Sequence, residues 1–592
     1  MPGPGDRGKA KEKPKHAKKT LVRLLKYLME YGWVVLIMLL CAFASNIGNL
    51  LGPDFAGKAI NAASKGVGKV NINEVIHYGL LMLIAYVSGN ILSFFVSIGM
   101  MRVGRKVARN LRRDVFNKLM EMPVGYFDRH LAGDIISRVS YDIDVVCTSL
   151  SSDVVQILTS LVTVIGSFIM MCIISPPLVL CMVFTIPVSI LFTRYMGKRT
   201  RPLYSARSRA YGEMNGFAEE MFAGQKTILA YAHEDYVCDR FEEINKKAAE
   251  AYRDADSLGM TMGPTIGMIS NIGLAAIGLG GATLYMKGIV GIGQISSFIL
   301  YSRKFSGPIN EISNIINEIF SALAAAERVF QLLDEEEEAK DSEEATALTR
   351  ADGSVEARNV DFGYLANKIV LKDFNMKAEP GQTIAIVGHT GAGKTTVINL
   401  LMRFYDVNDG AIFVDGQEVK AYTLESLRKN YSMVLQDTWV FNGTIFDNIA
   451  YGKENATMEE VVEAAKAAYI HNYIMRLPKG YNTVISEDGG NISKGQKQLI
   501  TIARAMLYDT SMLILDEATS NVDTATERKV QKAMRSLMAG KTSFIIAHRL
   551  STIRNADNIL VVDGGNVVEQ GDHDYLMNRK GAYYALYRSQ FD

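Results

Sequence analysis

Thr383-Ile384-Ala385-Ile386-Val387-Gly388-His389-Thr390-Gly391-Ala392-Gly393-Lys394-Thr395 is the stretch that decides the fold of the second half of the chain. Its first five residues are an unbroken, mostly β-branched apolar run, the pattern of a strand buried on both faces. The next eight, 388–395, fit a phosphate-binding loop set between a strand and a helix. Glycines there let backbone N–H groups approach phosphate oxygens, and the positive end of the following helix favours an anion. Lys394 is placed to put a charge between β- and γ-phosphates, and the Thr395 hydroxyl to reach Mg2+. A second apolar run, Met512-Leu513-Ile514-Leu515, ends in two carboxylates, Asp516 and Glu517. Asp516 suits Mg2+ through water, and Glu517 suits orienting or deprotonating an attacking water. ATP and Mg2+ are therefore the expected cofactors.

The first half is different in kind. The chain has 592 residues, too many for one core, and its net charge of +1 hides an asymmetry between an apolar first half and a soluble second half. Six runs reach the length and apolarity of membrane spans: 33–51, 75–101, 154–175, 177–193, 264–286 and 292–313. Basic residues crowd before the first, between the second and third (Arg102, Arg105, Lys106, Arg109, Arg112, Arg113) and between the fourth and fifth. The turn at Ser175-Pro176-Pro177 has none, and the fifth-to-sixth turn has Lys287 alone. The positive-inside rule then places both termini in the cytosol. The segments 102–124 and 195–257 read as helix continuing beyond the bilayer. The opening run of lysines reads as a solvated tail or a contact with anionic headgroups. No cleavable signal peptide is expected, because the first apolar run is long and follows that tail. The five cysteines have no metal-ligand or CxxC spacing.

The expected architecture is an α-helical six-span membrane domain followed by an α/β P-loop nucleotide-binding domain. Its bounds are a basic tail at 1–20, the membrane domain at 21–330, an acidic solvated linker at 331–353 and the nucleotide-binding domain at 354–592.

The motif order resembles that of ATP-binding-cassette (ABC) transporters, over nearly the whole chain. After the loop come Gln436, then Asn491-Ile492-Ser493-Lys494-Gly495-Gln496, then Asp516-Glu517, then Ser520-Asn521-Val522-Asp523, then His548. By this resemblance Tyr364 stacks on adenine, and Gly388, His389, Thr390, Gly391, Ala392, Gly393, Lys394, Thr395 and Thr396 bind phosphate. Ser493, Gly495 and Gln496 belong to the signature that meets ATP held by the opposite subunit. Glu517, His548 and Gln436 are implied in catalysis, and Thr395, Gln436 and Asp516 in holding Mg2+. The membrane half is similar to the multidrug and lipid exporter branch. Gly125-Tyr126-Phe127-Asp128 and residues 219–226 look like its coupling-helix regions, and Glu487-Asp488-Gly489 like the loop that meets them. A chain with one membrane domain and one nucleotide-binding domain is a half-transporter, and must dimerise.

The signature departs from the family's Leu-Ser-Gly-Gly-Gln at Ile492 and Lys494. A lysine beside the positive end of a helix is unfavourable by about a few tenths to 1 kcal/mol, though it can also pair with phosphate. A variant signature beside an intact Glu517 and His548 resembles one subunit of a heterodimeric exporter whose partner has a standard signature. A homodimer tolerating two variant signatures is the alternative.

The sixth span carries Arg303, Gly307, Asn310, Asn314, Asn317 and Ser321 at helical spacing. They read either as a cavity wall with an anion-tolerant point or as helix packing. The resemblance implies export of amphipathic drugs or lipids across the inner membrane. A homodimeric lipid flippase and an ATP-gated channel or regulator remain rival readings. Nucleic acid is excluded as a partner by the six spans. A peptide exporter with built-in processing is not expected, as no peptidase-like segment precedes the first span.

Overall fold

The computed structural model describes residues 16–66, 70–365, 367–436, 438–486, 491–516, 524–546 and 553–591. Within these, the side chains of 181–186, 189–190, 309–314, 317, 524 and 590–591 are excepted. The chain divides into two compact units, Met1–Met122 with His130–Glu336, and Pro123–Arg129 with Glu337–Asp592.

The first unit is helical. A short helix α1 (Ala17–Met29) precedes α2 (Gly32–Ala63) and α3 (Ile72–Met120). The second unit claims α4 (Val124–Arg129). Next come α5 (Ala132–Ser137) and, after a π-turn at Arg138–Asp142, α6 (Ile143–Ile174). The remainder is α7 (Pro176–Ala223), α8 (Gln225–Ala230), α9 (Glu234–Met286) and α10 (Ile292–Leu333). Among the described residues four stretches are long and apolar enough to cross a membrane: α2, α3, Ala132–Ile174 and α9. The fourth and sixth expected spans fall on α7 and α10, whose side chains are only partly among those described.

Large apolar side chains such as Leu40, Ile84, Phe94, Leu161 and Ile173 point outward, while small ones lie between helices. A Cβ on Gly57 would fall 2.5 Å from the Gly293 carbonyl oxygen, so α2 and α10 meet backbone to backbone. Such small-residue contacts are how helices associate where no hydrophobic effect separates helix from lipid. At the start of α6, the buried Asp142 accepts two bonds from Arg328 on α10, at 2.9 and 2.5 Å. The segment 195–257 is not one helix. Gly224 ends α7, and Ala232, at φ +51°, separates α8 from α9.

The second unit holds two larger sheets. An antiparallel one runs β2-β1-β4-β5, from β1 (Val355–Phe362), β2 (Leu371–Ala378), β4 (Asp409–Val414) and β5 (Gln417–Glu418). The other runs β12-β11-β3-β10-β9-β6. Its parallel members are β3 (Thr383–Val387), β6 (Tyr431–Val434), β9 (Met512–Asp516), β10 (Thr542–Ile546) and β11 (Asn558–Asp563). Strand β12 (Asn566–Gly571) closes one edge antiparallel, and β7 (Gly443–Thr444) pairs with β8 (Val484–Ile485) apart.

The unbroken apolar pattern of β3 has a direct cause. Ile384 and Ile386 enter one core cluster with Met512, Ile514 and Phe544. Ala385 and Val387 enter the cluster on the other face with Leu513, Leu515 and Ile545. The acidic run 335–338 is not wholly solvated, since Glu338 pairs with Arg428 at 2.6 Å.

Candidate ATP site

In open parallel sheets, ligands bind beyond the carboxyl ends of the strands. Three strands end level here, because Ile546 pairs with Ile386 on one side and with Asp516 on the other. The phosphate-binding loop leaves β3 at this edge and Gln436 follows β6, while the positions of Glu517 and His548 follow β9 and β10. Gln436 is exposed and Asp516 half-buried. Glu517, His548, Asn521 and Asp523, and the loop at Glu487-Asp488-Gly489, lie outside the described residues.

The loop closes tightly. Gly391 and Gly393 take φ of +86° and +104°, which only glycine adopts without strain, and a Cβ on Gly388 would strike the Val562 carbonyl oxygen at 2.1 Å. Helix α11 (Lys394–Leu401) starts directly after Gly393. Lys394 is 8% exposed, and its ammonium donates to the Gly388 and His389 carbonyls at 2.8 and 2.9 Å. Burial lowers its affinity for a proton, and the Asp516 carboxylate partly restores it. His389, Thr390 and Thr395 are exposed, and Ala392 and Thr396 buried. The exposed Thr395 hydroxyl and Asp516 are the hard oxygen donors that Mg2+ takes. Among the described residues no group of three His, Cys, Asp or Glu is placed to hold a metal ion.

Tyr364 stands beside this loop. Its hydroxyl donates to Thr396 Oγ1 at 3.2 Å and accepts from Asn399 Nδ2 at 3.0 Å. Its ring meets Phe362 and Tyr405 edge-on, both at 5.0 Å. Sequence reasoning missed Tyr405, whose hydroxyl donates to the Asp128 carboxylate on α4. That contact links the Tyr364 ring to the coupling-helix motif within the second unit. Its only sequence signal is an aromatic pair, Phe404-Tyr405, shortly after α11. Edge-on aromatic contacts contribute about 0.5–1.5 kcal/mol each. Tyr405→Ala is therefore expected to weaken ATP binding roughly three- to tenfold. Titration with a fluorescent ATP analogue checks this, and an unchanged affinity removes Tyr405 from the site.

Between loop and signature lie α12 (Leu424–Lys429), α13 (Ile445–Ala450), α14 (Met458–Ala467) and α15 (His471–Ile474). The signature opens α16 (Lys494–Tyr508) with a reciprocal cap. Ser493 Oγ accepts from the Gln496 N–H at 3.3 Å, and Gln496 Oε1 accepts from the Ser493 N–H at 2.9 Å. Asn491 ties this turn to β8 through a 3.0 Å bond to the Val484 carbonyl. Gly495 is buried, while Ser493 and Lys494 are exposed, and no carboxylate pairs with Lys494 among the described residues. The structure thus brings the loop, Tyr364, Thr396 and Asp516 to one edge of the fold. It places Ser493, Gly495 and Gln496 on a separate helix start, not bonded to that loop.

Comparison with known proteins agrees with this geometry. The ABC transporter transmembrane region matches residues 35–309, and the ABC transporter family matches residues 371–520. A fatty acid ABC transporter ATP-binding/permease protein of Mycobacterium bovis is 44% identical over 485 residues, covering 82% of this chain and 76% of that protein. An ATP-dependent lipid A-core flippase of Methylobacillus flagellatus is 35% identical over 591 residues, 99% of both chains. Among solved structures, a bacterial Atm1-family ABC exporter with ATP bound superimposes with a TM-score of 0.74 at 28% identity, covering 95% of this chain and 99% of that one.

Proposed function

This chain belongs to the ABC transporters that carry a transmembrane region and an ATP-binding domain on one polypeptide, and we propose that it drives acidic or neutral lipids out across the inner membrane as one half of a heterodimer. The observation that carries the pump reading is the Lys394 cradle at the carboxyl end of β3, on the same chain as helices built for lipid. The similar proteins named for fatty acid and for lipid A support an amphiphilic cargo. In this reading ATP lies between the loop 388–396 and Tyr364 of one subunit and Ser493, Gly495 and Gln496 of the opposite one. Thr395, Asp516 and Gln436 would hold Mg2+, which would neutralise charge on the phosphates. Glu517 takes the proton of the attacking water, with His548 at the γ-phosphate. Both termini and the ATP-binding domain are cytosolic. ATP-dependent uptake of a fluorescent fatty acid or phospholipid into inverted vesicles tests the reading. Uptake that is equal with and without hydrolysable ATP rejects it in favour of a channel.

Lys494, exposed and without a carboxylate partner among the described residues, supports an unequal pair of ATP sites. It stands at the start of α16, where the helix end is already positive and a bound γ-phosphate would sit. Lys494→Gly is expected to tighten ATP at the site it faces about two- to fivefold, in line with a gain of up to roughly 1 kcal/mol. Equilibrium titration of the assembled dimer with a fluorescent ATP analogue checks it. A stable, fully active dimer formed by this chain alone would reject the heterodimer. A homodimer of this chain, with two variant signatures, is the second reading.

A further inference from the structure

Pro53 lies inside α2 and has no N–H, so the Asn49 carbonyl one turn earlier loses its helical partner. Helix α10 repairs this bend with three side chains at helical spacing. Ser297 Oγ donates to the Pro53 carbonyl at 2.7 Å, Tyr301 Oη to the Leu50 carbonyl at 2.6 Å, and Lys304 Nζ to the Asn49 carbonyl at 2.7 Å. A serine and a tyrosine each bring one donor to this task. Lysine brings three donors and a full charge.

Among the described residues that charge is not balanced: no carboxylate pairs with Lys304, and its other contact is the face of Tyr86, 5.6 Å away. Asp54, on the same stretch of α2, is held by Lys58 at 2.7 Å. The Tyr86 ring lies against Gly52, where a Cβ would fall 2.3 Å from its hydroxyl. Among the described residues that hydroxyl makes no hydrogen bond, and Tyr86 and Lys304 are both half-buried. Lys304 lies about 18 Å along α10, and Tyr86 about 21 Å along α3, at the helical rise of 1.5 Å per residue. Both positions are near the middle of a hydrocarbon layer about 30 Å thick. A cation there, with spare donors, is expensive unless an anion visits it. Arg303, which the sequence offered as the anion-tolerant point, is exposed, with no partner among the described residues.

We propose that Lys304, with the Tyr86 hydroxyl beside it, is the point that receives the anionic oxygen headgroup of the transported amphiphile. This rests on the lipid-export reading and adds the charge of the cargo to it. Two of the three ammonium donors, and the phenol, are available to a carboxylate or a phosphate. The bond to Asn49 fixes where they stand.

The test uses the assembled transporter in nanodiscs of neutral phosphatidylcholine at alkaline pH, with ATPase stimulation as readout. Oleate is compared with oleyl alcohol, and phosphatidate with diacylglycerol, which separates a carboxylate source from a phosphate source. Lys304→Gln retains an N–H donor, one bond shorter, on the side of the Asn49 carbonyl and removes the charge. The preference for acid over its neutral analogue is expected to fall about tenfold in Lys304→Gln and to be restored in Lys304→Arg. A merely structural lysine would weaken acid and neutral ligands together. Lys304→Gln with the wild-type preference overturns the proposal, as does a wild type that responds equally to acid and alcohol. In those cases lipid export stands. A wild type stimulated by no amphiphile overturns both.

Discussion

Lys394→Met is expected to weaken ATP binding roughly 30- to 700-fold and to abolish transport. Methionine keeps the buried apolar stem and removes the ammonium. In the free protein that ammonium is held by the Gly388 and His389 carbonyls, 2.8 and 2.9 Å away. ATP must draw it from these neutral acceptors to phosphate oxygens. The bonds given up are already charge-assisted, because the donor is an ammonium, so the gain on binding is the ion–ion attraction to phosphate, up to about 4 kcal/mol for unit charges about 4 Å apart at an effective dielectric of about 20. A net of about 2–4 kcal/mol remains, with about 1.4 kcal/mol per tenfold in affinity. The same exchange has a pH signature. Burial lowers the proton affinity of Lys394 in the free site, and bound phosphate would raise it. ATP binds the protonated form, so affinity falls as pH rises through the lowered value. The decline should begin at lower pH than an ordinary lysine would give, and should vanish in Lys394→Met. Equilibrium titration with a fluorescent nucleotide measures both. A variant within threefold of wild type would remove Lys394 from the phosphate site.

The phosphate loop was legible in the sequence because its constraints are local. Glycines at 388, 391 and 393 answer to backbone angles and to a carbonyl that a Cβ would strike. An apolar run such as β3 announces a strand buried on both faces, and both faces are buried. The membrane helices were legible as apolar lengths, and their continuation beyond the bilayer as charged sequence at helical spacing: α3 runs on to Met120, and α9 begins at Glu234, well before its apolar stretch. The break at Gly224 and Ala232 within an apparently continuous charged helix had no cluster of breakers to announce it.

What stayed illegible depends on contacts between distant segments. Neither Pro53 nor Lys304 belongs to a motif or stripe in the sequence. Only the packing of α10 on α2 joins the freed carbonyl to the ammonium. Arg303, its neighbour, drew the attention of the sequence reading because a charged polar stripe passes through it. Of that stripe, the side chains of Asn310, Asn314 and Asn317 lie outside the described residues. Tyr405 likewise becomes meaningful through Tyr364 and Asp128, far apart in sequence.

Glu517→Gln is expected to reduce steady-state ATP hydrolysis at least roughly 100-fold while ATP binding stays within threefold. A positioned general base contributes about 10²–10⁴ in rate, and glutamine has nearly the same shape without the ability to accept a proton. The position follows Asp516, where β9 ends level with β10 and two strands from the phosphate loop. Binding is expected to be spared because, in the proposed site, the contacts that would hold the nucleotide come from the loop, Tyr364 and the opposite signature, not from this carboxylate. A variant that binds but does not hydrolyse should also accumulate the closed dimer, visible as a shift in size-exclusion elution of the isolated ATP-binding domains or as crosslinking in the full transporter. The size of the loss reports the assembly as well. If the partner carries a substituted base, all turnover runs through Glu517 and the single variant silences the pair. Retention of about half the wild-type rate would mean that both sites hydrolyse. The asymmetric reading of Lys494 would then fall, because the site facing it would be turning over at a full share.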